Sequence, residues 1–367
     1  MQISSLKTLA FVVSIFFFTS NLSGMFLPVY FRDIGLGIAE IVEILLFTFI
    51  VIGLLPLILL KFVKNFESII SFGIFSTMVF YIALIYIKHP ITLGLAYGTS
   101  IATFWPSFNL LQFRLSESKV RARTVSFFSS VIPSLASIVG PAVGSFIIEN
   151  LSFASLFTVS IFLYLTAFIF SMRIQFKPEI QGFSVPKAKI LIIFFVTFII
   201  LGLSEAYWLA YPFFVLTVSE TILRMGLVLT LSAVVMSAIT FLVDWLSDIK
   251  RARVVFAIIG ATLYVAWYFV IANAATMYEI VALSIISGSA GAFTLSWFAH
   301  YGDSFSREYF ASILVLMEVG LMIGRIINLA PTFIFISEAN YANYFIFLGV
   351  VSLFLIPFFA ASKKQMR

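Results

Sequence analysis

The sequence predicts an all-α integral membrane protein, with twelve transmembrane helices in two pseudo-symmetric six-helix bundles. Three observations carry this. Apolar segments long enough to cross about 30 Å of hydrocarbon recur from one end of the chain to the other. The chain is 62% hydrophobic and only 10% charged, with a mean hydropathy of +1.13, which excludes a soluble domain. The basic residues also gather in every second loop.

The twelve segments fall at about 8–30, 39–60, 68–87, 91–113, 124–149 and 152–173, then 189–217, 225–247, 254–273, 277–300, 308–333 and 341–361. Placing the N-terminus in the cytoplasm makes the cytoplasmic segments basic. They then hold Lys7; Lys61 and Lys64; Arg114, Lys119, Arg121 and Arg123; and Arg173, Lys177, Lys187 and Lys189. They also hold Lys250, Arg251, Arg253 and Arg307, and Lys363, Lys364 and Arg367, which makes 18 of the 22 Lys and Arg residues. Arg32, Lys88 and Arg224 fall on the other side, and Arg325 lies within a span. This bias sets the parity of the spans and their orientation. It predicts a multi-pass protein of the cell membrane with both termini cytoplasmic. The first residues resemble a signal peptide, with Lys7 followed by Phe11–Phe18, but no small-x-small cleavage pattern follows. A second apolar segment comes at once, so the first span is expected to be retained.

The composition excludes several functions. With no cysteine there is no disulfide, thiolate chemistry or Cys-ligated metal. Two histidines, His89 and His300, are too few and too far apart for a metal cluster, so no metal is expected. The formal charge of +6 is scattered over loops rather than set in one stripe, so no nucleic-acid partner is expected. There is no Gly-Lys-Ser/Thr phosphate loop, Gly-x-Ser-x-Gly elbow or zinc-helix motif, and the reading is not an enzyme. The expected partners are the lipid bilayer and a small-molecule substrate, and the protein is expected to be a monomer.

The longest polar break is IQFKPEIQGFSVPKA at 174–188, where Pro178, Gly182 and Pro186 forbid a continuous helix. It divides the chain into a bundle at 1–174, a cytoplasmic linker at 175–188 and a second bundle at 189–367. Asn21 and Glu205, Pro28 and Pro212, Arg123 and Arg307, and Gly140 and Gly324 are each 184 residues apart, half the chain. Two homologous halves are the simplest account, an arrangement known among transporters.

The fifth span contains Gly140-Pro141-Ala-Val-Gly144 after a loop with Arg121 and Arg123. Proline removes a backbone donor and crowds the preceding turn. In lipid this is tolerated where neighbouring groups re-satisfy the freed carbonyl. Glycines beside it admit another helix closely. A kinked helix packed at an interface is expected.

This Gly-Pro-x-x-Gly resembles the antiporter motif of the major facilitator superfamily. The loop Asp244-Trp-Leu-Ser-Asp248-Ile-Lys250-Arg251-Ala-Arg253 is similar to that family's cytoplasmic charge motif. Asp248 would be its acid and Lys250, Arg251 and Arg253 its bases, with Asp244 in place of the leading glycine. The matching first-half loop, Lys61 to Glu67, has lost the pattern. The turn FLPVYFRDIGLGIAEI looks like the family's first outward loop. The resemblance implies a secondary transporter working by alternating access, with helices one, four, seven and ten lining a central cavity. That would place Asn21 and Glu205 in the cavity. No cofactor is implied; the energy source would be a proton gradient.

An ionisable group inside a span is a functional hypothesis by default. Glu205 lies about sixteen residues into the seventh span, and at helical spacing it shares a face with Trp208 and Pro212. It could gain and lose a proton during transport, with Trp208 holding an aromatic ring or organic cation. A structural interhelical hydrogen bond is the alternative. Glu318 sits in the middle of the eleventh span. Arg325, two turns on and on the same face, is the counterpart of Pro141, with Asn328 beyond it. So deep an arginine needs a counter-charge, from Glu318 or Glu205. The pair could be purely structural, proton-sensitive, or an anchor for an anionic substrate. Trp105, Pro106, Asn109 and Gln112 in helix four, and Ser296, Trp297 and His300 in helix ten, form polar and aromatic runs that could line a site or simply pack.

Glu205 and Glu318 are therefore expected to couple protons, and Asn21, Trp208, Arg325, Asn109 and Trp297 to contact substrate. Gly140, Pro141, Gly144 and Gly324 would form the hinge and interface. The leading reading is proton-coupled efflux of a small organic compound. The alternatives are a proton-coupled importer of a sugar, organic acid or other metabolite, and a non-transporting sensor on the same fold.

Overall fold

The structure is a computed structural model that describes residues 3–63, 65–115, 138–174, 183–186, 189–250 and 252–364. Among these, every regular element is helical. In the first half α1 is Ile3–Ser23, α2 Leu27–Asp33, α3 Ile38–Phe62, α4 Ile69–Tyr86, α5 Pro90–Leu115, α6 Gly140–Asn150 and α7 Phe153–Ser171. In the second, α8 is Lys189–Leu203, α9 Ala210–Ser219, α10 Ile222–Lys250, α11 Arg253–Ile271 and α12 Met277–Asp303. Then come α13 at Phe310–Ser337, α14 at Tyr341–Leu353 and α15 at Leu355–Lys364. Nine spans among the described residues are long and apolar enough to cross a membrane, α1 with α2 and α14 with α15 each counting as one. At 26 residues α5 is also long enough, although its Ser, Thr, Asn109 and Gln112 make it more polar. α8 and α9 together form an eleventh apolar stretch, broken in its middle. α6 is the end of the predicted fifth span, and the rest of that span lies outside the described residues. Twelve spans are consistent with this, and the protein is a multi-pass membrane protein.

These helices carry hydroxyls through an apolar setting by folding them onto their own backbone. Thr19, Thr48, Thr197 and Ser284, for example, each donate to the carbonyl four residues back.

The packing repeats. α1 packs on α6 and α8 on α13; α3 and α4 pack on α5, as α10 and α11 do on α12; α4 packs on α7 and α11 on α14. Each of these contacts has its counterpart in the other half, one half-chain later. The halves meet along α3 with α13 and along α6 with α10, and exchanging the halves maps one contact onto the other. The opening spans even break at matching places. The 3₁₀ turn Gly24–Phe26 precedes α2, with Pro28 in its first turn, and residues 204–209 precede α9, with Pro212 in its first turn. A proline there leaves no intrahelical donor missing.

Glycines set the closest approaches. A Cβ at Gly144 would fall on the Leu22 carbonyl of α1, and one at Gly324 on the Ile199 carbonyl of α8. Between the halves, a Cβ at Gly226 would come within 2.6 Å of the Pro141 carbonyl, and one at Gly53 within 2.7 Å of the Met322 Cβ. Helices in lipid associate by such close packing, since burial against lipid tails contributes little. Pro141 stands in the first turn of α6, and the part of the expected kinked helix before residue 138 lies outside the described residues. The free N–H of Ala142 beside it donates to Thr230 Oγ1 of α10 at 3.0 Å, which ties the halves together.

Candidate functional site

The seventh span does not run as one helix, and here the structure corrects the sequence reading. Glu205, Trp208 and Pro212 do not share a helical face, because residues 204–209 are a turn between α8 and α9. Proline at 212 cannot donate to the carbonyl of Trp208 and crowds it, so the helix cannot run through. Two carbonyls at the break are taken up by side chains of neighbouring helices. Tyr268 Oη of α11 donates to the Ser204 carbonyl, and Asn328 Nδ2 of α13 donates to the Glu205 carbonyl at 2.8 Å. Asn328 is itself held, since Tyr344 Oη donates to its Oδ1 at 3.1 Å and Thr332 Oγ1 donates to its backbone oxygen at 2.7 Å. Inside a membrane irregular backbone needs such partners, and this break has them.

The break aims Glu205 at Arg325. Arg325 Nε donates to Glu205 Oε2 at 2.7 Å and Nη2 donates to Oε1 at 2.9 Å, a two-armed pair. Trp208 Nε1 also donates to Glu205 Oε2. On the far side of the guanidinium, Arg325 Nη1 lies 3.9 Å from Glu318 Oε2. The side chains of Glu205, Arg325 and Glu318 are only 14%, 9% and 7% exposed. One buried cation is thus set between two acids, bound tightly to the first and loosely to the second. The sequence offered Glu318 or Glu205 as the counter-charge, and both lie beside Arg325.

Aromatic rings close the centre. The Arg325 guanidinium lies 5.3 Å from the Trp208 ring and 5.8 Å from the ring of Phe49 on α3. Phe49 and Trp208 meet edge to face at 5.1 Å, and Tyr97 of α5 lies 6.1 Å from Trp208. The pocket against Glu205 and Arg325 is lined by Leu45 and Phe49 from the first half and by Leu209, Leu329 and Tyr344 from the second. It has room on the scale of a single water molecule. The charged centre therefore sits between the halves, with its three charged side chains largely buried.

Other candidates lie elsewhere. Asn21 Nδ2 donates to Phe17 O within α1, and the Asn21 side chain lies beside Gly140. Asn109 is half-buried on α5 and does not line the pocket. Trp297 is buried among Phe194, His300 and Phe359, with no partner for its Nε1 among the described residues. Gly140, Pro141 and Gly144 sit between α1 and α10. Gly324 brings α13 onto α8 one residue before Arg325. Where α11 begins and α12 ends, Arg253 pairs with Asp303 and donates to the Ala299 carbonyl at 3.3 Å. Arg251 and the side chains of Asp244, Asp248 and Lys250 lie outside what is described. Phe49, Tyr268, Tyr344 and Thr230 were not anticipated.

No family model matches the chain. A protein encoded in the sodM 3′ region of Geobacillus stearothermophilus is 27% identical over 152 residues, which is 38% of this chain and 67% of that relative. Among solved structures, the Escherichia coli fucose:proton symporter FucP superposes with a TM-score of 0.66 at 16% identity, covering 98% of each chain. The human organic anion transporter MFSD10 (TETRAN) superposes with a TM-score of 0.69 at 11% identity, over 96% of this chain and 99% of its own. The chain thus has the fold of the major facilitator superfamily transporters.

Proposed function

We propose that the protein is a proton-coupled secondary transporter of a small organic compound. It works by alternating access in the cell membrane, with both termini in the cytoplasm as the basic loops indicate. The observation that carries this is the Arg325 guanidinium, buried between Glu205 and Glu318 where the halves meet. Rocking the halves apart opens this centre, and stripping a buried ion of its partner costs about 3–5 kcal/mol. Glu205 can leave Arg325 without stranding a charge if it takes up a proton as it goes. Glu318 then remains beside the guanidinium. Opening is in this way tied to proton binding, and a compound that enters while Glu205 is protonated crosses together with the proton. The energetics therefore favour proton-driven uptake. FucP, whose fold this chain shares, is a fucose:proton symporter, which supports the reading.

Export against proton entry is the second reading. The observation in its favour is the Gly140-Pro141-x-x-Gly144 segment, which is seated at the contact between the halves against Gly226 and Thr230.

The test uses purified protein in vesicles with a pH-sensitive dye inside and an acid exterior. Pools of organic acids, sugars and amines are added outside. Uptake predicts that one pool speeds internal acidification, and that Glu318→Gln and Glu205→Gln each abolish the effect. Acidification driven only by compound loaded inside would establish export instead. Binding without proton movement in either direction would sink both and leave the sensor.

A further inference from the structure

Deepening the transporter reading, on which this step rests, we infer that the substrate carries a carboxylate that replaces Glu205 on Arg325, with an apolar or aromatic body lying between Trp208 and Phe49. In the closed chain Glu205 is a tethered stand-in for that ligand.

Four features support this. First, the donors around Glu205 form a carboxylate receptor. Arg325 Nε and Nη2 address one oxygen each, and Trp208 Nε1 donates to one of the same oxygens. The guanidinium fork matches a planar pair of oxygens and not a single charge. The remaining wall is Leu45, Leu209 and Leu329 with Asn328, Thr332 and Tyr344, whose donors are engaged on the Glu205 carbonyl, the Asn328 carbonyl and Asn328 Oδ1 rather than held ready for the third oxygen of a phosphate or sulfate.

Second, the two partners of Arg325 differ in how replaceable they are. Glu205 projects from the turn between α8 and α9, and its backbone is held separately by Asn328. Its side chain can leave without unwinding a helix. Arg325 and Glu318 lie on the unbroken α13. With Glu205 gone, Nη1 keeps Glu318 at hand, while the Nε and Nη2 edge faces the pocket.

Third, the rings beside that edge come from both halves, Phe49 on α3 and Trp208 after α8, with Tyr97 of α5 next to Trp208. A flat apolar body there touches both halves at once, as a ligand that drives rocking must. Fourth, a cationic ligand finds no open acid, since Glu205 and Glu318 both already face Arg325.

The experiment measures binding of benzoate, benzylammonium and benzamide to the purified full-length protein in detergent, at one pH. Tryptophan fluorescence and the shift in melting temperature are the readouts. Benzoate is expected to bind at least tenfold more tightly than the cation or the amide. Glu205→Gln, which removes the internal competitor, should strengthen benzoate binding about tenfold or more. Arg325→Lys, which keeps the charge and loses the fork, should weaken it by a similar factor. A purely structural ion pair predicts the reverse for Glu205→Gln, with lower stability and no gain in binding.

Equal binding of the three probes by wild type and Glu205→Gln overturns the inference, as does full benzoate affinity in Arg325→Lys. Should Glu205→Gln not fold, Glu205→Asp, whose shorter side chain lengthens the pairing, must also gain affinity. Proton flux driven by a neutral sugar without benzoate preference would keep the transporter and remove the carboxylate. Benzoate preference without any flux would keep the receptor and remove the transporter.

Discussion

Asn328 donates its side-chain amide to the backbone oxygen of Glu205 at 2.8 Å, across 123 residues of chain. The bond fills a vacancy left by the helix break, so the residue carrying the acid is fixed by the helix carrying the base. Its strength can be judged from what its loss exposes, a buried carbonyl without its donor.

Asn328→Ala should therefore destabilise the fold by about 1–3 kcal/mol, the cost of a buried unsatisfied group. Tyr344→Phe removes a bond to the outer side of the same amide, where Thr332 Oγ1 stands 2.8 Å from Tyr344 Oη. Its cost should be smaller, about 1 kcal/mol, the net worth of one hydrogen bond. Thermal unfolding in detergent checks the order; an equal or inverted pair would mean that Asn328 does not hold the break.

The Glu205–Arg325 pair should show strong coupling. Arg325→Gln leaves two buried acids facing each other with no counter-charge, at a cost of about 3–5 kcal/mol, whereas Glu205→Gln leaves the guanidinium beside Glu318. The double variant Glu205→Gln/Arg325→Gln removes both charges and should be more stable than Arg325→Gln alone. A double-mutant cycle on melting temperatures should give a coupling above about 1 kcal/mol, as expected for groups in direct contact. Additive effects would show that the two do not meet in the folded protein.

Helix spacing makes a separate prediction. Gly324→Ala places a methyl group on the Ile199 carbonyl, so α13 must shift away from α8 and carry Arg325 off Glu205. Overpacking of this kind typically costs about 1–3 kcal/mol. Gly291→Ala is the control, because the nearest atom to its Cβ is Tyr264 Oη at 3.7 Å, which is ordinary contact. The first should lower the yield of folded protein and the melting temperature; the second should change neither.

Much of this was legible in the sequence, for a physical reason. Lipid forces each span to be long and apolar, and orientation leaves its trace in where Lys and Arg are placed. The same cost of burial makes Glu205, Glu318 and Arg325 conspicuous against an apolar background. What joins them was not legible. The turn at 204–209 was hidden in an unbroken apolar run, although Pro212 was the signal for it. Phe49 could not be picked out from 45 phenylalanines, because ring packing leaves no local mark. Trp297 and Asn21 looked like site residues because polar and aromatic groups at cavity-facing positions look the same whether they bind or pack. Tyr268 and Asn328 serve a carbonyl freed in another helix, a demand that exists only once the break is known.

The contact between α6 and α10 yields the last prediction. Ala142 N–H is a free helix N-terminal donor, and Thr230 Oγ1 accepts from it across the halves at 3.0 Å. Thr230→Val keeps the shape and removes the acceptor. The donor is then left unpaired only while the halves are together on this side. The change should therefore weaken the closed contact more than either half. Because the chain has no cysteine, a single Ser145→Cys reports this without background labelling. Ser145 is fully buried and lies against Gly226 in this contact. A membrane-impermeant maleimide should label it slowly in the otherwise wild-type chain. With Thr230→Val, labelling should be several-fold faster, since a shift of about 1.4 kcal/mol is tenfold in the open population. Equal labelling rates would place this contact outside the movement of the halves, and would leave the Gly140–Gly144 segment as packing alone.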